Sequence, residues 1–255
     1  MDMQAAHQAA AVPAPNLFLN GYLAHTFTPH GAAFYLAYLL KVDAATLYPI
    51  GNVHGWPRAV FIAFPQVPNA APHALAGAQQ PLWITDYEVA PNLGTVIPQR
   101  LWYPHSVTDQ RQYVAQARLE LPVFFVHANG ALGLTLANAA AGNFHTLRGS
   151  QAAAPIGGKS STHLRIAWPG YKDYKRQFQT RDETFERKPI TLEKFVRHVA
   201  RSVDAFLQHC EVDVAVEAPR WRIGENGITR NDIYVMGAVH VSAGSWMPIL
   251  QLARG

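Results

Sequence analysis

Residues 158–208 read GKSSTHLRIAWPGYKDYKRQFQTRDETFERKPITLEKFVRHVARSVDAFLQ, and the succession of patterns within them decides the fold. A short apolar run, Leu164–Trp168, has the length of a strand and ends at Pro169. A charged connector, Tyr171–Lys188, follows a Trp-Pro-Gly-Tyr turn. From Thr191 the spacing becomes helical: Leu192, Phe195, Val196, Val199, Val203, Phe206 and Leu207 recur at i, i+3, i+4 and i+7, while Lys194, Arg197, His198, Arg201 and Asp204 fall on the other side. Thr191 is a suitable N-cap and Glu193 lies near the positive end of the helix dipole. A strand, a basic connector and an amphipathic helix are therefore expected in direct succession.

Beyond this stretch, Glu211–Glu217 alternates valine with acid, the pattern of a half-buried strand. Thr229 and Asp232 form a capping-box-like pair. Ile233–Val241 reads as a short helix stopped at Gly244, with a strand as the rival because Val235, Val239 and Val241 favour one. Trp246–Leu252 reads as a closing strand. On the N-terminal side, Val123–Val126 is strand-like. For residues 127–143 a hairpin at Asn129-Gly130 competes with a helix closed at Gly142, and the helix is preferred. A helix capped by Ser106 or Thr108 runs to about Arg118. Leu82–Val89 and Thr95–Tyr103 are expected strands around an Asn92–Gly94 turn, with Pro98 making the second an edge or bulge. Ala59–Phe64 is a buried strand between a loop (Asp43–Pro57) and a Pro/Ala/Gly connection (66–81). Thr28 and Pro29 open a buried helix, preceded by a disordered leader (1–16). Strands interleaved with helices imply an α+β or mixed α/β fold. Residues 17–255 should form a single compact globular domain with a mixed sheet and several helices.

Composition narrows the function. Of 255 residues, 49% are hydrophobic, enough for a large core, and only 15% are charged, against the ~25% usual in soluble domains. Positions 151–201 hold 11 Lys/Arg against 5 Asp/Glu, whereas the rest of the chain holds 10 against 12, so the net charge of +4 is concentrated in one region. Cys210 is the single cysteine, which rules out an intrachain disulfide. No apolar run is long enough to cross a bilayer, so no membrane partner is expected, and cytoplasm or nucleus is the expected location.

Motifs for chemistry are sparse. Ala154–Ser160 looks like the end of a phosphate-binding loop, but the first glycine position is Ala153, and no strand precedes it. His25 and His30 are separated by Pro29, and no paired-cysteine or H-E-x-x-H spacing occurs, so no metal or other cofactor is expected. Asp86 and Glu88 share a strand face as an acid/base pair. What remains is the basic segment. Lys172, Lys175, Arg176, Arg181, Arg187, Lys188, Arg197 and Arg201, interleaved with Tyr171 and Tyr174, are the candidate binding residues, because cations contact phosphate or carboxylate and exposed rings stack on bases. The expected function is a binding module for an acidic partner, nucleic acid or acidic protein, with self-association also open. The alternative is an enzyme acting on a small molecule through a His/carboxylate site, such as His127 or His240 near Asp86.

The blocks LPVFFVHANGALGLTLANA, HLRIAWPGYKDYKRQFQTRDETFERKPITLEKFVRHVARSV and HVSAGSW are similar to an uncharacterised protein family of mushroom-forming fungi. The resemblance spans roughly positions 120–250 and carries no activity, cofactor or catalytic residue with it.

Overall fold

A computed structural model describes residues 19–42, 47–49, 59–63, 82–210 and 218–254; for 47–49, 59–63 and 82 it describes the backbone path alone. The expected leader, the 66–81 connection and the alternating Glu211–Glu217 segment lie outside the described residues. In chain order come α1 (Tyr22–Phe34) with a π-helical turn (Tyr35–Leu39), β1 (Leu47–Pro49), β2 (Ala59–Ala63) and β3 (Leu82–Tyr87). Next are α2 (Val107–Gln110) with a second π-helical turn (Arg111–Ala115), β4 (Val123–Phe124), β5 (Leu134–Thr135) and α3 (Leu136–Ala141). The chain continues through β6 (Ser161–Ile166), β7 (Tyr174–Gln179), α4 (Leu192–Cys210), β8 (Ile233–Ser242) and β9 (Ser245–Leu252). The fold is α+β. β1–β2–β3 form a small antiparallel sheet, and the main sheet has the order β4-β8-β9-β6-β7, with β5 also on β8. Every pair in the main sheet is antiparallel except β6–β9.

Helices cover both faces of this sheet. On one, α4 lays Phe195, Val199, Val203 and Phe206 over residues such as Leu164, Ile166, Val235 and Trp246. On the other, α1 and its π turn pack Leu23, Phe27 and Leu36 with Met236, Val239, Met247 and Ile249. Each such side chain removed from water stabilises the fold by ~1.5–3 kcal/mol. This two-sided cover explains the main departure from expectation. Ile233–Val241 is a strand and not a helix: every residue of β8 except Tyr234 is buried. A strand sandwiched between two layers loses its period-two pattern and reads as a continuous apolar run.

Other departures have local causes. Thr95–Tyr103 is not a strand: Val96 alone makes a bridge, to Gln251, and Pro98 then ends the pairing along β9. Leu47–Pro49, expected in a loop, pairs with β2. In residues 127–143 both competing readings hold in part. Val126 and Leu132 bridge around the Asn129-Gly130 turn, and a separate helix then starts at the Thr135 cap, whose Oγ1 accepts from the Asn138 N–H at 3.2 Å. Thr28 caps as expected, its Oγ1 accepting from Gly31 N–H at 3.2 Å, but helix already precedes it, so α1 is kinked there (Thr28 φ 65°, ψ 159°). The Tyr171–Lys188 connector contains β7, which sequence alone concealed. The helix from Thr191 stands where it was expected.

Gly142 closes α3 at φ 91°, and a Cβ there would collide with Nη2 of Arg197. Gly142→Ala is expected to cost ~1–2 kcal/mol in denaturant unfolding, from the left-handed backbone and the displaced guanidinium together.

Candidate anion-binding groove

Strand β6 alternates cleanly. Thr162, Leu164 and Ile166 are buried, while Ser161, His163 and Arg165 turn to the opposite face. In register with them across β7 are Gln179, Gln177 and Lys175. Beyond this face stand Trp102–Ser106, α2 and its π turn, tied to the β8–β9 turn by a hydrogen bond from Ala243 N–H to the Tyr113 carbonyl (2.8 Å). Between them runs an open groove of about 1030 Å³, with Lys159 and Ser160 at its rim and Ser245 in its floor.

Arg165 is the most constrained cation in the groove. Its Nε donates to Ser245 Oγ at 2.8 Å, and its guanidinium lies 3.8 Å from the centre of the Trp102 ring. Stacking on a ring and one directional hydrogen bond fix the plane of the fork. The two Nη groups have no hydrogen-bond partner among the described residues. Burial lowers the Arg165 pKa, with Asp173 opposing, so the group is partly desolvated and still cationic. Asp173 itself is held by Arg100 at 2.6 Å. Lys159 Nζ sits 5.5 Å over the Tyr113 ring, and Lys175 and His163 also line the groove, together with the carboxylates of Asp109 and Asp173. A fixed, half-desolvated guanidinium with unused donors suits a carboxylate or phosphate, which accepts two parallel N–H bonds.

The ten candidate residues do not form one surface. Of these, only Tyr174 and Lys175 line the groove. Arg176, its neighbour on β7, turns to the α4 side and donates to the Arg201 carbonyl at 3.0 Å. Arg176, Arg197, Arg201 and Lys194 surround His198, whose pKa is lowered first by burial and then by these cations. Arg197 lies 5.5 Å from the Phe144 ring centre. Arg181 donates to the Gly158 carbonyl at 3.1 Å, Lys188 pairs with Glu186, and Arg187 occupies a turn at φ 47°. Lys172 is exposed just before β7. Both tyrosines pack on the core, although Tyr174 also borders the groove. Tyr171 Oη accepts from Ile223 N–H at 2.8 Å, and the Tyr174 ring packs 5.5 Å from Phe206. Arg165 belongs to the basic segment read from sequence; what the sequence missed is the face it shares with Ser161 and His163. Starting the strand at Leu164 hid an alternation that begins at Ser161.

The proposed acid–base groups are engaged elsewhere. Asp86 is fully buried, and its carboxyl accepts from Leu23 N–H (3.2 and 3.4 Å to its two oxygens) and Tyr87 N–H (2.9 Å). It thereby caps α1, whose own N-cap, Gly21, has no side chain to do so. Burial outweighs these hydrogen bonds and raises the carboxyl to about 8. His240 stacks on Trp246 at 4.5 Å, takes the Glu120 N–H on Nδ1 at 2.9 Å, and is pushed down to about 3 by burial. His127 shares a cleft of about 460 Å³ with Glu88. Its Nε2 lies 2.7 Å from the Gly133 carbonyl, which can only accept, so Nε2 carries the proton and Nδ1 accepts from Thr146 Oγ1 at 2.6 Å. Neither ring nitrogen is left for a ligand.

Among the described residues, no three His, Cys, Asp or Glu side chains group as a metal site would require, and no helix is long and apolar enough to cross a membrane. No protein-family model, curated protein or solved structure matches the chain.

Proposed function

We propose that the chain is a binding module for an acidic partner, which it engages through the groove face of β6 and β7 within the basic segment 159–201. One observation carries the proposal: Arg165 is locked by Trp102 and Ser245 while both Nη groups remain unused. An arginine serving only the fold spends its fork on carbonyls or carboxylates. Here the fork is pre-organised beside Lys159, His163 and Lys175, so an incoming anion loses little side-chain freedom to be held. The ordinary alternative, a solvated basic strand, leaves the Trp102 stack without a purpose.

The acid–base reading has less behind it, since Asp86, His127 and His240 are each committed to backbone or side-chain partners. The test is fluorescence anisotropy with two labelled probes, polyglutamate and a single-stranded oligodeoxynucleotide, across a salt series, with Trp102 emission as a second readout. Binding of one probe is expected to weaken steeply with salt, as contacts between charges do. Arg165→Gln should weaken it about tenfold, the size of one lost charge-assisted hydrogen bond. Arg181→Gln, outside the groove, should leave it unchanged. Equal affinity in Arg165→Gln and the parent chain would sink the proposal.

A further inference from the structure

We infer that β7 is a docking edge, to which an extended acidic segment of a partner protein adds as one more strand. The inference rests on the acidic-partner proposal and specifies the partner's class and geometry.

Strand β7 ends the main sheet; among the described residues it pairs with β6 alone. The register and the hydrogen bond from Thr180 N–H to the Ser160 carbonyl (3.0 Å) fix which way each backbone group points. Tyr174, Arg176 and Phe178 spend their N–H and C=O groups on β6. Lys175, Gln177 and Gln179 turn theirs outward, a row of alternating donors and acceptors that fits the backbone of an extended chain.

Natural sheets blunt such edges with proline, bulges, shortness or charge. β7 has six residues in unbroken register with no proline or glycine. Charge is the one device present, and it has a single sign. Lys175 stands on the groove side and Arg176 on the α4 side, next to Arg201, with no acid inside the strand. Such an edge repels a second copy of itself, because like charges directly opposite are unfavourable. It attracts a strand whose carboxylates fall on either side. On the groove side those carboxylates reach toward the fork of Arg165, the cross-strand neighbour of Lys175. Nucleic acid fits less well. Tyr171 and Tyr174 pack against Phe206, and Arg165 covers Trp102, so these three rings are already engaged.

The test uses a short capped peptide of repeating Glu-Glu-Val-Val, which as a strand carries carboxylates on both faces, with the oligodeoxynucleotide as comparison. Amide hydrogen exchange is followed by NMR on the full chain. On peptide binding, the amides of Lys175, Gln177 and Gln179 should become protected, while those of Arg176 and Phe178, already paired, should not change. Gln177→Pro removes one outward N–H and leaves the β6 ladder intact, as proline is tolerated on an edge facing solvent. It should weaken the peptide at least about tenfold, with thermal unfolding little altered. Should this variant fail to fold, the exchange pattern of the parent chain decides. If the peptide binds without protecting those amides, strand addition is overturned and the acidic-partner proposal survives. If only the oligonucleotide binds, the partner class is overturned. If neither binds, both proposals fall.

Discussion

Stability is expected to fall as the pH rises from about 6.5 to about 8, and replacing Asp86 with asparagine should remove most of that decline. In the folded chain the Asp86 carboxyl is raised to about 8, against ~3.9 in an unfolded chain. A group whose folded pKa is raised contributes stability that is fully present below its unfolded pKa and lost as pH climbs through its folded one. His240, pushed down to about 3 in the folded chain, behaves in the opposite sense. Its contribution is present above its unfolded value of ~6.5 and lost as the solution is acidified. Between about pH 4 and 6.5 the two slopes oppose each other, giving a shoulder. Between about 6.5 and 8 Asp86 dominates. Differences of several units correspond to several kcal/mol over the whole window, at ~1.4 kcal/mol per unit. Asp86→Asn keeps an oxygen to accept the Leu23 and Tyr87 N–H groups without an ionisable proton. Asp86→Ala orphans those buried donors and should cost ~2–3 kcal/mol at every pH. Denaturant midpoints across the pH range measure all three chains; a parent profile that rises from pH 6.5 to 8 would show the sign to be wrong.

Trp168→Ala should be the most damaging single truncation in the core, at ~3–5 kcal/mol. Trp168 is 1% exposed, packs 5.7 Å from Phe206, and donates its Nε1–H to the Trp221 carbonyl at 2.8 Å. Truncation opens a cavity between the end of β6 and α4 and leaves that carbonyl unpaired. For a chain of this size it amounts to a drop in Tm of ~6–20 °C. Trp168→Phe, which refills most of the space but not the hydrogen bond, should lose ~1–2 kcal/mol. Phe185 is the natural control: fully exposed at the tip of the 181–189 turn, it should tolerate serine within ~0.5 kcal/mol. A Trp168→Ala midpoint close to that of the Phe185 variant would mean that the α4–sheet contact is not the centre of the core.

What sequence revealed depends on how many layers cover each element. Helix α4 and strand β6 each bury one face, so a period of 3.6 or 2 survives in their residues. The capping pair Thr229 and Asp232 is equally legible, since both hydrogen bonds lie within three residues and the capping box forms as read. β8 is covered on both faces and carries no such period. The cap on α1 was invisible because its acceptor, Asp86, is 63 positions from Leu23. The groove was half legible. A basic segment stood out, but alternation along β6 and β7 divides its cations between opposite faces, and Trp102 and Ser245, which fix Arg165, come from distant parts of the chain. Charge counted along a sequence cannot separate the two sides of a sheet.

The parallel pairing of β6 with β9 sets an order of events during synthesis. β6 and β7 can zip together as soon as both have left the ribosome, but an isolated two-stranded hairpin is marginal in water. Arg165 must wait for Ser245, 80 positions later, before its Nε has a partner. At ~5–20 residues per second that is a delay of seconds, during which Leu164, Ile166 and Trp168 have no β9 beside them and the edge of β7 is already formed. Long-range closure of this kind slows folding. Until then the nascent hairpin has only the β6–β7 ladder to hold it. The hydrogen bond that fixes the Arg165 fork therefore forms only after β9 has paired with β6.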